Sequence, residues 1–396
     1  MDCVAWKERE FGAKERHDAK EMNVKIGIVR EIKNNEYRVA MHHAGVEELI
    51  RSGHEVVVEK DAGVNAGFTN TDYEGAGAQI ADTAESVWGE SDLLLKVKEP
   101  LESEYGYLRE DQILFTYLHL AASRSLTQAL LAAKTPALAY EMVKGSDGSL
   151  PLLAPMSIIA GRLSAQVAAH QLMSPFGGTG VLMGGAPGTA RAKVLVVGGG
   201  VVGEQAAIVA AGMGASVTVL DINSARLADL DRTHGTRIST GFSNAQAIDT
   251  LAREADVVVG SVLLPGRAAP KLIKRETIEA MRPGSIVIDV AIDQGGCTEV
   301  SRPTTHDDPT FRVGNATAYC VANMPGAVAR TASVALAGAS LPYVRALANG
   351  GIEGIAGHPG LLSGFSTFRG ELLHEEVAEA HGLPYRSARE VLAHER

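Results

Sequence analysis

From Val24 onward, short apolar runs alternate with stretches in which apolar residues recur every three to four positions. Runs of four to eight aliphatic or β-branched residues predict strands, and the longer 3.6-residue period predicts helices. In the first half the strand-like runs are residues 25–29 (KIGIV), 54–59 (HEVVVE), 93–98 (LLLKVK), 113–120 (ILFTYLHL) and 137–141 (ALAYE). Residues 44–53 have helical spacing and end at a glycine, as a C-terminal cap would. A further helix is expected to open in TDYEGAGA, with Thr71 as its N-cap. Residues 145–153, rich in Gly and Ser, read as a link between two units. Residues 155–173 then read as one helix, and residues 176–190 as a glycine-rich loop. A second series of strands follows at 194–198, 216–221, 256–261, 285–290 and 318–322, and an Ala-rich helix at 328–349. Alternation of this kind predicts α/β architecture, with parallel sheets covered on both faces.

Composition narrows the function classes. At 45% apolar and 21% charged, the 396-residue chain has enough apolar surface for two or three cores, which excludes disorder for most of it. Lys and Arg total 37 against 47 Asp and Glu, a net charge of −10, which argues against nucleic acid as a partner. No stretch reads as a membrane span, and the first 21 residues carry charges of both signs, as a solvated extension would. Three cysteines, Cys3, Cys297 and Cys320, offer neither a disulfide framework nor metal-ligand spacing. A reducing cytoplasm is the expected compartment and no metal is expected; Cys297 and Cys320 read as small core residues. The 43 glycines are the one excess. Beyond the motif below, they cluster at 177–188 and at Gly295-Gly296, and both clusters are expected to border a cofactor cleft.

The sharpest motif is Gly198-x-Gly200-x-x-Gly203. A β-branched strand precedes it, a helix-compatible run follows, and the next strand ends at an acid, Asp221. Gly198 would allow the tight turn, Gly200 the approach of a pyrophosphate, and Gly203 the packing of helix on strand. Asp221 would bond the ribose hydroxyls and favour NAD, while Arg226, five residues on, keeps NADP open.

Four further residues are candidates for chemistry, each with a plainer alternative. Arg38 precedes apolar Val39 and Ala40, so its planar fork could turn inward to a carboxylate, or form a surface ion pair with Glu36. Lys98 shares a strand face with Lys96 and ends its run, either as a site residue or as an edge-strand charge. His119 closes the next apolar run, suited to proton transfer or to a hydrogen-bonded core position. Asp293 lies just beyond a strand, before Gly295-Gly296, as a proton-handling group or a turn cap.

Taken together, KNNEYRVA (33–40), DLLLKVKEP (92–100), LHLAAS (118–123), LPLLAPMS (150–157), DVAIDQGGC (289–297), SRPTTHDDPTF, VANMPGAV and the glycine loop resemble the bacterial NAD-dependent L-alanine dehydrogenases. The resemblance runs from about Val24 to the C-terminus. Transhydrogenase α subunits share the architecture and some of the motifs. The resemblance implies two doubly wound domains, a Rossmann NAD-binding domain (152–329) inserted into a discontinuous substrate domain (22–151 and 330–396), after the charged extension 1–21. It implies oxidative deamination of L-alanine to pyruvate and ammonium, and the reverse. Arg38 and Lys98 would bind the substrate, and His119 and Asp293 would move protons. Ser157, Asn323 and Met324 would join Gly198, Gly200, Gly203, Asp221 and Arg226 in holding NAD. A cytoplasmic homohexamer is implied as well. The alternatives are a transhydrogenase-like subunit and an inert NAD-binding regulatory protein. The chain departs from the pattern at Ile32 (Thr is common), at Met41-His42-His43 (in place of a Thr-Pro run), at Ile158 (often Glu) and at Phe368-Arg369 (in place of His-Glu).

Overall fold

The computed structural model describes residues 23–262 and 269–393. The charged extension and Cys3 lie outside the described residues. Two sheets organise the rest. The first contains β1 (Lys25–Ile28), β2 (Glu55–Glu59), β3 (Gln79–Ala81), β4 (Leu93–Leu95), β5 (Ile113–Thr116), β6 (Ala137–Ala139), β14 (Phe365–Phe368) and β15 (Glu371–Leu372). The second contains β7 (Lys193–Val197), β8 (Ser216–Asp221), β9 (Ile238–Phe242), β10 (Val257–Gly260), β11 (Ile286–Asp289), β12 (Thr310–Val313) and β13 (Ala316–Tyr319). Their orders are β15-β14-β6-β5-β4-β1-β2-β3 and β12-β13-β11-β10-β7-β8-β9.

The first sheet contains the doubly wound order 3-2-1-4-5-6 and the parallel strands of the second follow it too, with strand succession reversing between β1 and β4 and between β7 and β10. Pairing is parallel except at one edge of each, where β14 runs antiparallel to β6 and β15 to β14, and β12 runs antiparallel to β13. Apolar clusters cover both faces of each sheet, as the near-continuous apolar strands require. Strands from both ends of the chain complete the eight-stranded sheet, and the long helix Ala329–Gly357 packs into its core.

Several element ends differ from expectation. The run 93–98 is strand only to Leu95 and the run 113–120 only to Thr116, although Tyr117 N still donates to Val97 O at 3.2 Å and Val97 and Leu118 are fully buried. The strand expected at 318–322 instead occupies Ala316–Tyr319. The N-cap is Thr69 rather than Thr71: its side chain accepts from Asp72 N, while Asp72 accepts from Thr69 N, closing a capping box. The interdomain helix is Ala154–Gln171, with a proline in its first turn. The Ala-rich helix extends to Gly357, with a break at Gly351 (φ 52°).

The glycine cluster 177–188 is not at the cleft. A Cβ on Gly178 would meet Gln171 O at 2.2 Å, and one on Gly184 would meet Met213 O at 2.6 Å. Those glycines let the connection pass close to the residues that lead into the sheet, at the end opposite the strands' carboxyl termini.

Candidate active site

In doubly wound sheets ligands bind beyond the carboxyl ends of strands, at the point where strand order reverses. The chemistry-bearing residues occupy that position in both sheets. Arg38 follows β1, Lys98 follows β4, His119 follows β5, the glycine loop follows β7, Asp221 ends β8, and Asp293 follows β11. A cavity of about 520 Å³ lies between the two sheets' carboxyl ends. His119, Glu141 and Met156 line it from one side, Val202, Asp293 and Gln294 from the other, and Ser157 from the first turn of the joining helix.

The turn after β5 aims His119. The residue adopts the left-handed conformation (φ 48°, ψ 41°), which a non-glycine residue holds only when its surroundings require it. Glu141 supplies that requirement: its Oε1 accepts from His119 N at 2.7 Å and lies 3.8 Å from His119 Nδ1. The Tyr117 ring lies parallel to the imidazole, with planes 5° apart and centroids at 6.0 Å. Tyr117 in turn is held by its hydroxyl, which donates to Leu152 O at 2.6 Å.

Asp293 sits in the short 3-10 turn Ile292–Gln294 that follows β11. Asp289, the last residue of β11, staples this loop. Its carboxylate accepts from Ala291 N and Thr298 N, both at 3.1 Å, and from the Ser301 hydroxyl. Gly296 makes the staple fit, since a Cβ there would meet Asp289 Oδ2 at 2.6 Å.

Lys96 and Lys98 differ sharply. Neither is an edge-strand charge, because β4 lies inside the sheet and the residues are 1% and 6% exposed. Lys96 is paired with Glu104 at 2.9 Å and Glu31 at 3.4 Å. Burial pushes Glu31 up to about 7, with Lys96 opposing. Glu31 also accepts from Val97 N at 2.6 Å and Lys98 N at 3.4 Å, fixing the segment between the lysines. The Lys98 ammonium has no hydrogen bond or ion pair among the described residues. It lowers the pKa values of Glu36 and Glu99 only through space. A buried cation without a paired anion is costly, and such a site is ready for an anionic ligand.

Arg38 is buried, and both alternatives for it contain part of the answer. Its fork is taken by Glu36, with Nε at 2.7 Å and Nη2 at 2.5 Å, but this pair is not at the surface. Burial alone would raise the Glu36 pKa; the Arg38 charge outweighs it and holds Glu36 low. Arg38 Nη2 also reaches Asn323 Oδ1 at 2.5 Å, and Asn323 Nδ2 donates to Glu36 at 2.8 Å. A ligand carboxylate is therefore left the Nη1 edge, which contacts the cavity-lining Met156 sulfur at 3.1 Å. Arg38 lies behind that wall, and neither it nor Lys98 itself lines the cavity. Asn323 and Met324 do not line it either; Met324 packs in the core of the second sheet.

The glycine loop fits a dinucleotide. Gly198 has φ 101°, and a Cβ on Gly203 would lie 1.8 Å from Gly198 O, so strand, turn and helix meet with no room for a side chain. Nothing lies within 4 Å of a Cβ on Gly200, the N-cap of the helix Val201–Gly212, where a pyrophosphate would meet free N–H groups. Asp221 Oδ2 accepts from Gly199 N at 2.6 Å.

Sequence reasoning gave no role to Glu141 or His374. Glu141 was visible only as an acid ending the fifth apolar run. His374 arrives from the C-terminal segment to line the same cavity; its Nε2 is buried without a partner among the described residues, and burial lowers its pKa.

Comparison with known proteins agrees with this geometry. The family model for the alanine dehydrogenase/PNT N-terminal domain matches residues 27–160, and that for the C-terminal domain matches residues 164–375. An alanine dehydrogenase of Mycolicibacterium smegmatis is 53% identical over 369 residues, covering 93% of this chain and all of the relative. One from Halomonas elongata is 50% identical over 363 residues, covering 91% and 98%. Among solved structures, an L-alanine dehydrogenase superposes with TM-score 0.87 at 47% identity, covering 90% of this chain and 99% of that one. A transhydrogenase from Sinorhizobium meliloti gives 0.75 at 26% identity, covering 89% and 99%. With both family domains matched in order along the chain, the protein belongs to the alanine dehydrogenase/PNT family.

Proposed function

We propose that the protein catalyses NAD-dependent oxidative deamination of L-alanine, with water, to pyruvate and ammonium, and the reverse reductive amination. The observation that carries this reading is the placement of His119 and Asp293 on one cavity, each at the carboxyl end of a different sheet. The identity near 50% to alanine dehydrogenases over almost the whole chain supports it, against 26% to the transhydrogenase.

NAD, when bound, accepts the Cα hydrogen of alanine with its electron pair. Gly198, Gly200 and Gly203 would hold the pyrophosphate and Asp221 the ribose, with Ser157 on the cavity wall; Arg226 would act from its place against the glycine loop, and Asn323 and Met324 would act from behind the cavity wall. Lys98, whose ammonium has no hydrogen bond or ion pair among the described residues, and the Nη1 edge of Arg38, now against Met156, bind the substrate carboxylate or carbonyl oxygen. These cations also stabilise negative charge developing on oxygen. His119, steadied by Glu141 and Tyr117, gives and takes the proton at the carbonyl oxygen. Asp293 positions the water that adds to the imine carbon, and the amine that leaves from it.

We place the substrate-side unit at residues 22–151 and 330–396, with the nucleotide unit 152–329 inserted. A cytoplasmic homohexamer belongs to the same reading. The deciding experiment is NADH oxidation with ammonium and a panel of 2-oxo acids. Turnover with pyruvate, dependent on ammonium, is expected; oxidation independent of any 2-oxo acid would overturn the reading.

A further inference from the structure

Arg226 lies where a cation would invite a 2′-phosphate, five residues beyond Asp221 and against the glycine loop. It is not available for that task. Its Nε donates to Gly199 O at 2.6 Å, its Nη1 to Asp229 Oδ2 at 2.7 Å, and its Nη2 to Glu204 Oε2 at 2.5 Å. Glu204 stands in the first turn of the helix that the glycine loop opens, and His234 Nε2 holds its other oxygen at 2.9 Å. Burial opposes ionisation of Glu204, but the bonds from His234 and Arg226 outweigh it and keep the carboxyl below its usual range. The clamp is thus charged and doubly anchored.

We propose that Glu204 is a specificity-determining residue for the nucleotide, acting on Arg226. Together with Asp229 and Gly199 O, it ties the guanidinium back against the loop, and its bond is the one that draws Nη2 toward the helix and away from a 2′-phosphate. Discrimination against NADP then rests on two carboxylates of different kinds. Asp221 repels the phosphate directly, and Glu204 withholds the Arg226 cation that would otherwise face it. His234 is the strut that keeps Glu204 aimed at Arg226. This inference rests on the assignment of the glycine loop to NAD.

The test is equilibrium binding, read by calorimetry, of ADP and of 2′,5′-ADP to the full-length protein and four variants: Glu204→Gln, Asp221→Asn, the double variant, and Glu204→Gln with Arg226→Ala. ADP affinity is expected to change less than twofold in Glu204→Gln, while 2′,5′-ADP tightens about tenfold, the scale of one released charge near a surface. Combined with Asp221→Asn, the gain should exceed the product of the two single gains, because the freed guanidinium no longer competes with Asp221. In the Arg226→Ala background the gain from Glu204→Gln should vanish. If it persists there, Glu204 acts only as a repelling charge and the clamp is overturned. If 2′,5′-ADP binding is unmoved in every Glu204→Gln background, the proposal also fails. A wild-type protein that binds neither ADP nor NADH would instead overturn the nucleotide assignment itself.

Discussion

Arg38 Nη2 donates to Asn323 Oδ1 at 2.5 Å, joining residues 285 positions apart. The bond links the loop after β1 to the segment after β13, and so one sheet's site residues to the other's. Asn323, itself half-buried, also donates to Glu36, so the three side chains form a closed triangle. Replacing Asn323 with Ala opens it and leaves Arg38 and Glu36 short of one partner each. We expect kcat/KM for pyruvate to fall about 10- to 100-fold, in line with losing one or two charge-assisted hydrogen bonds. Unchanged steady-state kinetics would show that the triangle is only scaffold.

Lys98 and Lys96 should respond oppositely to the same substitution. Lys98→Met removes a buried cation with no paired anion, so the melting temperature should rise by a few degrees while KM for pyruvate rises at least about 100-fold. Lys96→Met strands Glu31 and Glu104 in the interior and should cost about 3–5 kcal/mol. Thermal melts of both variants beside kinetics of the first decide the matter. A destabilised Lys98→Met would mean the ammonium is satisfied within the protein.

His119→Gln should lower kcat about 10²- to 10⁴-fold with NADH binding retained, the range for loss of general acid–base catalysis. Asp293→Asn should do the same. Glu141→Gln should act more weakly, since the role proposed for Glu141 is to aim His119. Assays with pyruvate, ammonium and NADH read all three, and near-normal kcat in His119→Gln would remove that residue from the mechanism.

Glu31 links stability to pH. Folded, it binds its proton at about 7, against 4.5 for the exposed group. Between those values the folded chain holds more protons than the unfolded one, so this residue's contribution falls as pH rises from about 4.5 to 7 and is level above. Glu31→Gln removes the titration while keeping an oxygen for Val97 N. The melting temperature of the variant should therefore gain on wild type between pH 5 and pH 8, by an equivalent on the order of 2 kcal/mol. A difference that stays constant across that range would contradict it.

Strand existence was legible because buried parallel strands are written as continuous apolar runs. Their ends were not. Leu118 is as buried as any ladder residue, yet its N–H goes to the Glu141 carboxylate rather than to a neighbouring strand, so hydrophobicity overstates the ladder. The glycine loop could be read in full, since each glycine answers a local steric demand. Lys98 could be named but not separated from Lys96, because what distinguishes them is Glu104, which pairs with one and not the other. Glu141 and His374 carried no pattern at all. Their relevance comes from β6 and from the C-terminal segment arriving beside His119, and such long-range placement leaves no mark in local spacing.

The sheet orders set a timetable for synthesis. Every strand of the seven-stranded sheet lies between Lys193 and Tyr319, so that half can close its hydrogen-bond ladder as soon as it emerges from the ribosome. The eight-stranded sheet begins at Lys25 but has an open edge at β6 until β14 and β15 arrive, and β15 ends at Leu372. Between the synthesis of Tyr319 and that of Leu372 the nascent chain carries a finished nucleotide half and an unfinished substrate half whose exposed edge can pair with a neighbouring chain. C-terminal truncation ahead of Phe365 should therefore yield aggregation rather than a smaller folded protein.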